Sequence, residues 1–169
     1  METQEGTFEE GDVEGDLRDY ENYDGKPIQR KRSRKKKRDR EREYTRKLVL
    51  RFRKEGARTK RYKDLGWQNP YDGWIFYHEF MPFEAKFMEG RKSYNISSWR
   101  NSQPHQYDNL FYDHRIGAKP FFLMFWKPNN RILWLAEPFK NIIGAKKIFM
   151  EDMTEINHLE DLLRLMEVF

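Results

Sequence analysis

Apolar residues are distributed unevenly along this chain. Residues 1–47 carry almost nothing that could form a core, whereas residues 48–169 are rich in Phe, Trp, Tyr, Leu and Ile. Where the two regions meet, Tyr44, Leu48 and Phe52 recur at i, i+4 and i+8. This predicts a helix over residues 39–55, with Gly56 ending it. Short apolar runs bounded by turn residues follow. Residues 57–63 read as a strand, and Gly66, Asn69 and Pro70 as a loop. Residues 74–77 and 80–88 read as an aromatic-rich strand pair turning at His78 and Glu79. After a polar loop at residues 90–92, a helix is predicted over 104–116, with Pro104 near its start and Gly117 after its end. Phe121-Phe122-Leu123-Met124-Phe125-Trp126 is a continuous apolar run, short enough and aromatic enough for a strand buried on both faces. Pro128-Asn129-Asn130 is a turn, and residues 131–136 return as the next strand. Residues 139–143 suggest a short helix. Residues 156–168 suggest a terminal one with Leu159, Leu162, Leu163 and Met166 on one face. This order predicts an α/β fold, a mixed β-sheet flanked by helices, with a disordered charged N-terminal tail over residues 1–38 and one domain over 39–169.

Charge sharpens the picture of the tail. Residues 1–24 are acidic and broken by Gly6, Gly11 and Gly15. The following run, Arg30, Lys31, Arg32, Arg34, Lys35, Lys36 and Lys37, is strongly basic. A phosphate-binding arm, blind to sequence and sensitive to salt, is the preferred reading of that run. A solvated charge block is the bland alternative, and a nuclear-import signal is another if the host is a eukaryote. The acidic stretch is expected to screen the basic one. Net charge is +5 and there is no cysteine, which excludes disulfides, thiolate metal sites and cysteine nucleophiles. No apolar run has the length of a membrane span, so a soluble, cytoplasmic protein without a membrane partner is expected. His78, His105, His114 and His158 lack zinc-site spacing.

The candidate chemistry lies in Pro70-Tyr71-Asp72 and, one hairpin later, Glu84-Ala85-Lys86. Side chains at i and i+2 of a strand share a face, so Glu84 and Lys86 project together. A paired strand bearing Asp72 brings a second carboxylate to them. Two carboxylates suit a hard divalent cation, and an ammonium beside them suits phosphodiester hydrolysis. The flanking Phe80, Met81, Phe83, Phe87 and Met88 make these charges costly to bury unless they are paired or bound to metal. The bland alternative is an edge strand with a solvated Glu and Lys.

The acid and the Glu-x-Lys triplet on adjoining strands resemble the PD-(D/E)xK nuclease superfamily, with its restriction-endonuclease-like sheet. Phe83-Glu84-Ala85-Lys86, then His105-Gln106 opening a helix, then Gly117-Ala118 and the apolar strand from Phe121, resemble the RecU family of Holliday-junction resolvases over residues 40–143. The resemblance implies a metal-dependent DNA endonuclease with Asp72 and Glu84 as ligands for Mg²⁺ or Mn²⁺ and Lys86 as the third catalytic group. It also implies roles for Glu41 on the first helix, with Glu43 as the fallback, and for Gln106 near the site. It further implies four-way junction DNA as substrate, a homodimer, and a bacterial or phage setting. Arg53, Lys54, Arg58, Lys60 and Arg61, with the basic arm, are expected to hold the phosphate backbone. One departure is plain: the family's long stalk has no room between Tyr62 and Tyr71. A duplex or flap endonuclease, a non-catalytic nucleic-acid-binding module and a structural basic protein of a virion or ribonucleoprotein are the competing readings.

Overall fold

The computed structural model describes residues 29–62 and 69–168, with side chains from Lys36 onward. The acidic stretch, the stalk-length question at residues 63–68, and the side chains of Arg30, Lys31, Arg32, Arg34 and Lys35 lie outside the described residues.

Helix α1 runs from Gln29 to Lys54, starting ten residues before the predicted position. The basic run was read as tail because of its charge. Lys and Arg are nevertheless good helix formers, and neither Pro nor Gly interrupts residues 29–54. Pairs one turn apart, Arg42 with Asp39 and Lys47 with Glu43, offset part of the repulsion. The predicted stripe is the face that packs: Leu48 and Phe52 are fully buried, and the Tyr44 ring lies 5.9 Å from Phe87 and 5.6 Å from Phe125.

Strands β1 (Arg58–Arg61), β2 (Gly73–Tyr77) and β3 (Glu79–Glu89) form an antiparallel meander. His78, with φ 61°, makes the one-residue link between β2 and β3, a conformation that His adopts more readily than most residues. Next come β4 (Ser93–Asn95), α2 (Ile96–Ser102), α3 (Pro104–Arg115), β5 (Phe121–Lys127) and β6 (Leu133–Pro138). The chain ends with α4 (Phe139–Ile142), β7 (Lys147–Phe149), β8 (Thr154–Glu155) and α5 (Leu159–Leu165). The main sheet has the order β1-β2-β3-β5-β6-β8, with β3 and β5 parallel and the other pairs antiparallel. Its mixed α/β class is the expected one. A separate two-stranded ribbon, β4 with β7, was not foreseen, nor were α2 and β8. For α2 a local signal existed, since the Asn95 Oδ1 caps the helix by accepting from the Ser98 N–H at 2.8 Å.

Two cores lie on opposite faces of this sheet. Phe83, Ala85 and Phe87 face α1 and α5. Met88, Phe122 and Met124 face α2, α3 and α4. Strand alternation therefore turns Glu84 and Lys86 toward the second face, beside Phe122 and Met124 of β5, neither of which can pair with a charge.

Gly73, next to Asp72, is closely flanked by Lys60 of β1 and Phe83 of β3. A methyl group there would lie 2.5 Å from the Lys60 carbonyl oxygen and 2.8 Å from the Phe83 ring. Gly73→Ala is expected to destabilise the protein by about 1–3 kcal/mol through overpacking, read as a lower urea midpoint at unchanged slope.

Candidate active site

The site forms where β3 outruns its partner. Pairing of β2 with β3 ends at Gly73 opposite Phe83, and the Asp72 N–H adds one last bond to the Phe83 carbonyl at 3.1 Å. Beyond that point the N–H groups of Ala85 and Phe87 point along the same open edge. Buried backbone donors need acceptors. The Asp72 Oδ2 accepts from the Ala85 N–H at 2.8 Å, and the Glu41 Oε2 accepts from the Phe87 N–H at 3.1 Å. Two carboxylates, one from the start of β2 and one from α1, are thus fixed to alternate residues of the strand that bears Glu84 and Lys86. The stacking of Tyr44 on Phe87 sets the height of α1 and so places Glu41 less than a turn away. Glu43, the fallback, pairs with Lys47 on the exposed side of the helix.

Glu84 is fully buried. Its Oε1 accepts a hydrogen bond from the Lys86 ammonium, while its Oε2 has no partner among the described residues. Burial and the charge of Asp72 push its carboxyl well above the usual range, against the pull of Lys86. Burial alone would lower Lys86, but Glu84, Asp72 and Glu41 outweigh it and keep the ammonium charged. Burial first, and Asp72 next among the groups that oppose ionisation, raise Glu41 from 4.5 to about 7. Tyr94 of β4 joins the same cluster: burial and the three carboxylates hold its phenol up at about 12, with Lys86 opposing them. Lys37 is lowered by burial and by the charges of Arg91 and Lys86, with Glu41 opposing. A small pocket of about 120 Å³ opens onto the cluster and is lined by Arg38, Glu41, Arg61, Asp72, Lys86 and Gln103, among others.

Three carboxylates around one buried ammonium leave an excess of negative charge in a dry setting. Among the described residues, no three His, Cys, Asp or Glu side chains are gathered closely enough to cage an ion. The donor set nevertheless fits a hard divalent cation. The orphaned Glu84 oxygen and the adjacent Asp72 carboxylate supply oxygen ligands, and Mg²⁺ characteristically takes one or two carboxylates and completes its shell with water and phosphate.

The other nominated residues fall in different places. Gln106 is buried in α3, its Oε1 without a partner among the described residues, and it does not line the carboxylate pocket; Gln103, one turn earlier, does. His105 lies in the first turn of α3, its carbonyl accepting from the Asn109 side chain at 2.7 Å. Arg53 is spent on structure, its guanidinium donating to the Thr59 carbonyl at 2.9 Å and so tying α1 to β1. Lys54, Arg58 and Lys60 are exposed, with the Lys60 ammonium 5.0 Å from the centre of the Tyr62 ring. Sequence reasoning missed Tyr94 and Gln103. Each lies in a segment with no predicted element, and nothing local to either announces the carboxylates.

No protein-family model and no curated protein matches the sequence. Among solved structures the chain is similar to the 1.6 Å structure of Archaeoglobus fulgidus Hjc, a Holliday junction resolvase from an archaeal hyperthermophile. The TM-score is 0.49 at 15% identity, over 77% of this chain and 98% of that one. That likeness does not single out the RecU family. No helix among the described residues is long and apolar enough to cross a membrane.

The raised Glu41 has a consequence for stability. A carboxyl whose folded pKa lies above its unfolded value binds more protons when folded, so stability is full below 4.5 and is lost as pH rises toward about 7. In EDTA, the urea midpoint of the wild-type protein is expected to fall between about pH 5 and pH 8. Glu41→Gln is expected to flatten that fall, and a slope identical to wild type would remove Glu41 from the cluster.

Proposed function

We propose that this chain is a metal-dependent DNA endonuclease of the PD-(D/E)xK kind, acting on branched DNA as the Holliday-junction resolvases do. The observation that carries the proposal is the convergence of Asp72 and Glu41 on the open edge of β3, against a buried Glu84 with a free oxygen and its partner Lys86. An ion pair between Glu84 and Lys86 alone does not account for two further acids gathered beside it.

Asp72 and Glu84 would hold Mg²⁺ or Mn²⁺, with Glu41 close enough to orient a water or to share in the binding. When bound, such an ion neutralises a phosphoryl oxygen and makes a water more acidic. Every other role falls to the chain. The backbone N–H bonds at Ala85 and Phe87 fix the two outer carboxylates before substrate arrives, so little reorganisation is required. Lys86, kept protonated by its neighbours, faces the negative charge that develops on the phosphate. Arg38, Arg42 and Arg61 at the pocket rim suit the flanking phosphates. Two opposed cuts in a junction require two such sites, so a twofold homodimer is part of the proposal.

The test is cleavage of a labelled four-way junction and a matched linear duplex in Mg²⁺, in Mn²⁺ and in EDTA. Metal-dependent, symmetric nicking of the junction is expected. Asp72→Asn is expected to lower the rate by about 10²-fold or more while leaving binding in EDTA nearly unchanged. Equal cutting of both substrates would keep the nuclease and discard junction preference. Normal cutting by Asp72→Asn would dismantle the site.

A further inference from the structure

Beside the carboxylate pocket, on the other flank of α1, lies a larger groove of about 990 Å³. Its walls come from three segments distant in sequence: α1, the turn from β3 into β4 and α2, and β7. Six cations line it, Lys36, Lys37, Arg40, Arg91, Lys92 and Lys147, against a single acid, Glu89. Glu89 is already held by Arg40 at 2.9 Å and by Lys127 at 3.0 Å. The groove therefore presents a net positive charge, assembled where β7 and the turn before β4 face Lys36, Lys37 and Arg40 of α1. It meets the active site at Tyr94, which lines the groove and feels the charges of all three carboxylates.

We propose that this groove is the track for the phosphate backbone of one DNA strand, leading it from Lys147 past Tyr94 to the carboxylate cluster. The identity of the polyanion as DNA rests on the nuclease reading above. This volume is at the upper end of that of a small-ligand pocket, about 300–1,000 Å³, room for a few nucleotides of one strand. Chemistry limits the mode of contact. Three large rings lie in the wall: Phe87 and Trp99 are buried, and the half-buried Tyr94 packs its ring 5.3 Å from that of Phe122, so the exposed lining is mainly cationic. Recognition is therefore of the backbone, by charge, and is indifferent to sequence. Only Lys36 and Lys37 of this set belong to the basic run that composition brought forward. The opposite wall is supplied by the turn before β4, with Arg91 and Lys92, and by β7, with Lys147.

The experiment measures binding of the full chain in EDTA by fluorescence anisotropy, across a salt series. The probes are a labelled single strand in two unrelated sequences, a duplex with a single-stranded overhang, and a blunt duplex. Lys92→Ala with Lys147→Ala, both exposed and so tolerated by the fold, is compared with Lys140→Ala with Arg164→Ala, an equal charge change outside the groove. The groove variant is expected to weaken binding of the single strand and the overhang equally in both sequences, and to reduce the salt slope by about one per lysine removed. The control variant is expected to leave both unchanged. Equal effects of the two variants, or a loss confined to the blunt duplex, would overturn the proposal. Because the readout needs no cleavage, failure of the groove and failure of the nuclease reading are separable: an unaltered slope in a variant that still cuts DNA overturns the groove alone.

Discussion

Strand β3 continues for six residues after its antiparallel neighbour has ended, and the site depends on that mismatch. An extended strand edge carries backbone donors that must be satisfied. Here they are satisfied by side-chain carboxylates rather than by another strand. The Ala85 and Phe87 N–H groups each take one, from Asp72 and from Glu41. The register of β2 against β3 and the docking of α1 on Phe87 are thus the two geometric decisions from which the charge cluster follows. Gly73 is the residue that lets the first of these be as close as it is.

Electrostatics explains how such a cluster is held in place and why its carboxyls bind protons tightly. Glu84 lies between Lys86 and the apolar neighbours Phe122 and Met124, so the Lys86 ammonium, joined by Lys37 at Glu41, must answer for three carboxylates. Burial first, and then the neighbouring carboxylates, raise the proton affinity of Glu84 and Glu41 and hold Tyr94 up. A site of this kind binds a proton or a cation more readily than it stays empty of both. The surrounding surface has the opposite sign, with arginines at the pocket rim and lysines along the adjoining groove. A negative pocket inside a positive surface can hold a cation while attracting a phosphodiester, the two components of a hydrolytic complex that repel neither each other nor the protein.

Much of the architecture was legible because it is local. The α1 stripe at Tyr44, Leu48 and Phe52, the doubly buried strand β5 and the hairpin at His78 each follow from periodicity or turn chemistry within a few residues. The short pieces β4, β7 and β8, of three, three and two residues, carry too few positions for a period to show. The early start of α1 was masked by a charge run whose repulsion is outweighed by the helix propensity of Lys and Arg. Gln106 was nominated through resemblance, and one helical turn separates it from Gln103, the glutamine that lines the pocket.

By itself the sequence determined that Glu84 and Lys86 share a face, because a strand alternates with period two whatever its neighbours are. It also determined that this face lies in an apolar strand, and that Glu41 sits three residues from the packed stripe of its helix. Only the tertiary structure decided that Asp72 and Glu41 land on alternate N–H groups of β3 and that Tyr94 joins them. It alone decided that Lys92 and Lys147 stand across a groove from Lys36 and Lys37. Those facts depend on strand register, on the docking of α1 and on the seating of a remote ribbon. Each is a through-space outcome of packing two cores against one sheet, and no window of sequence contains both partners.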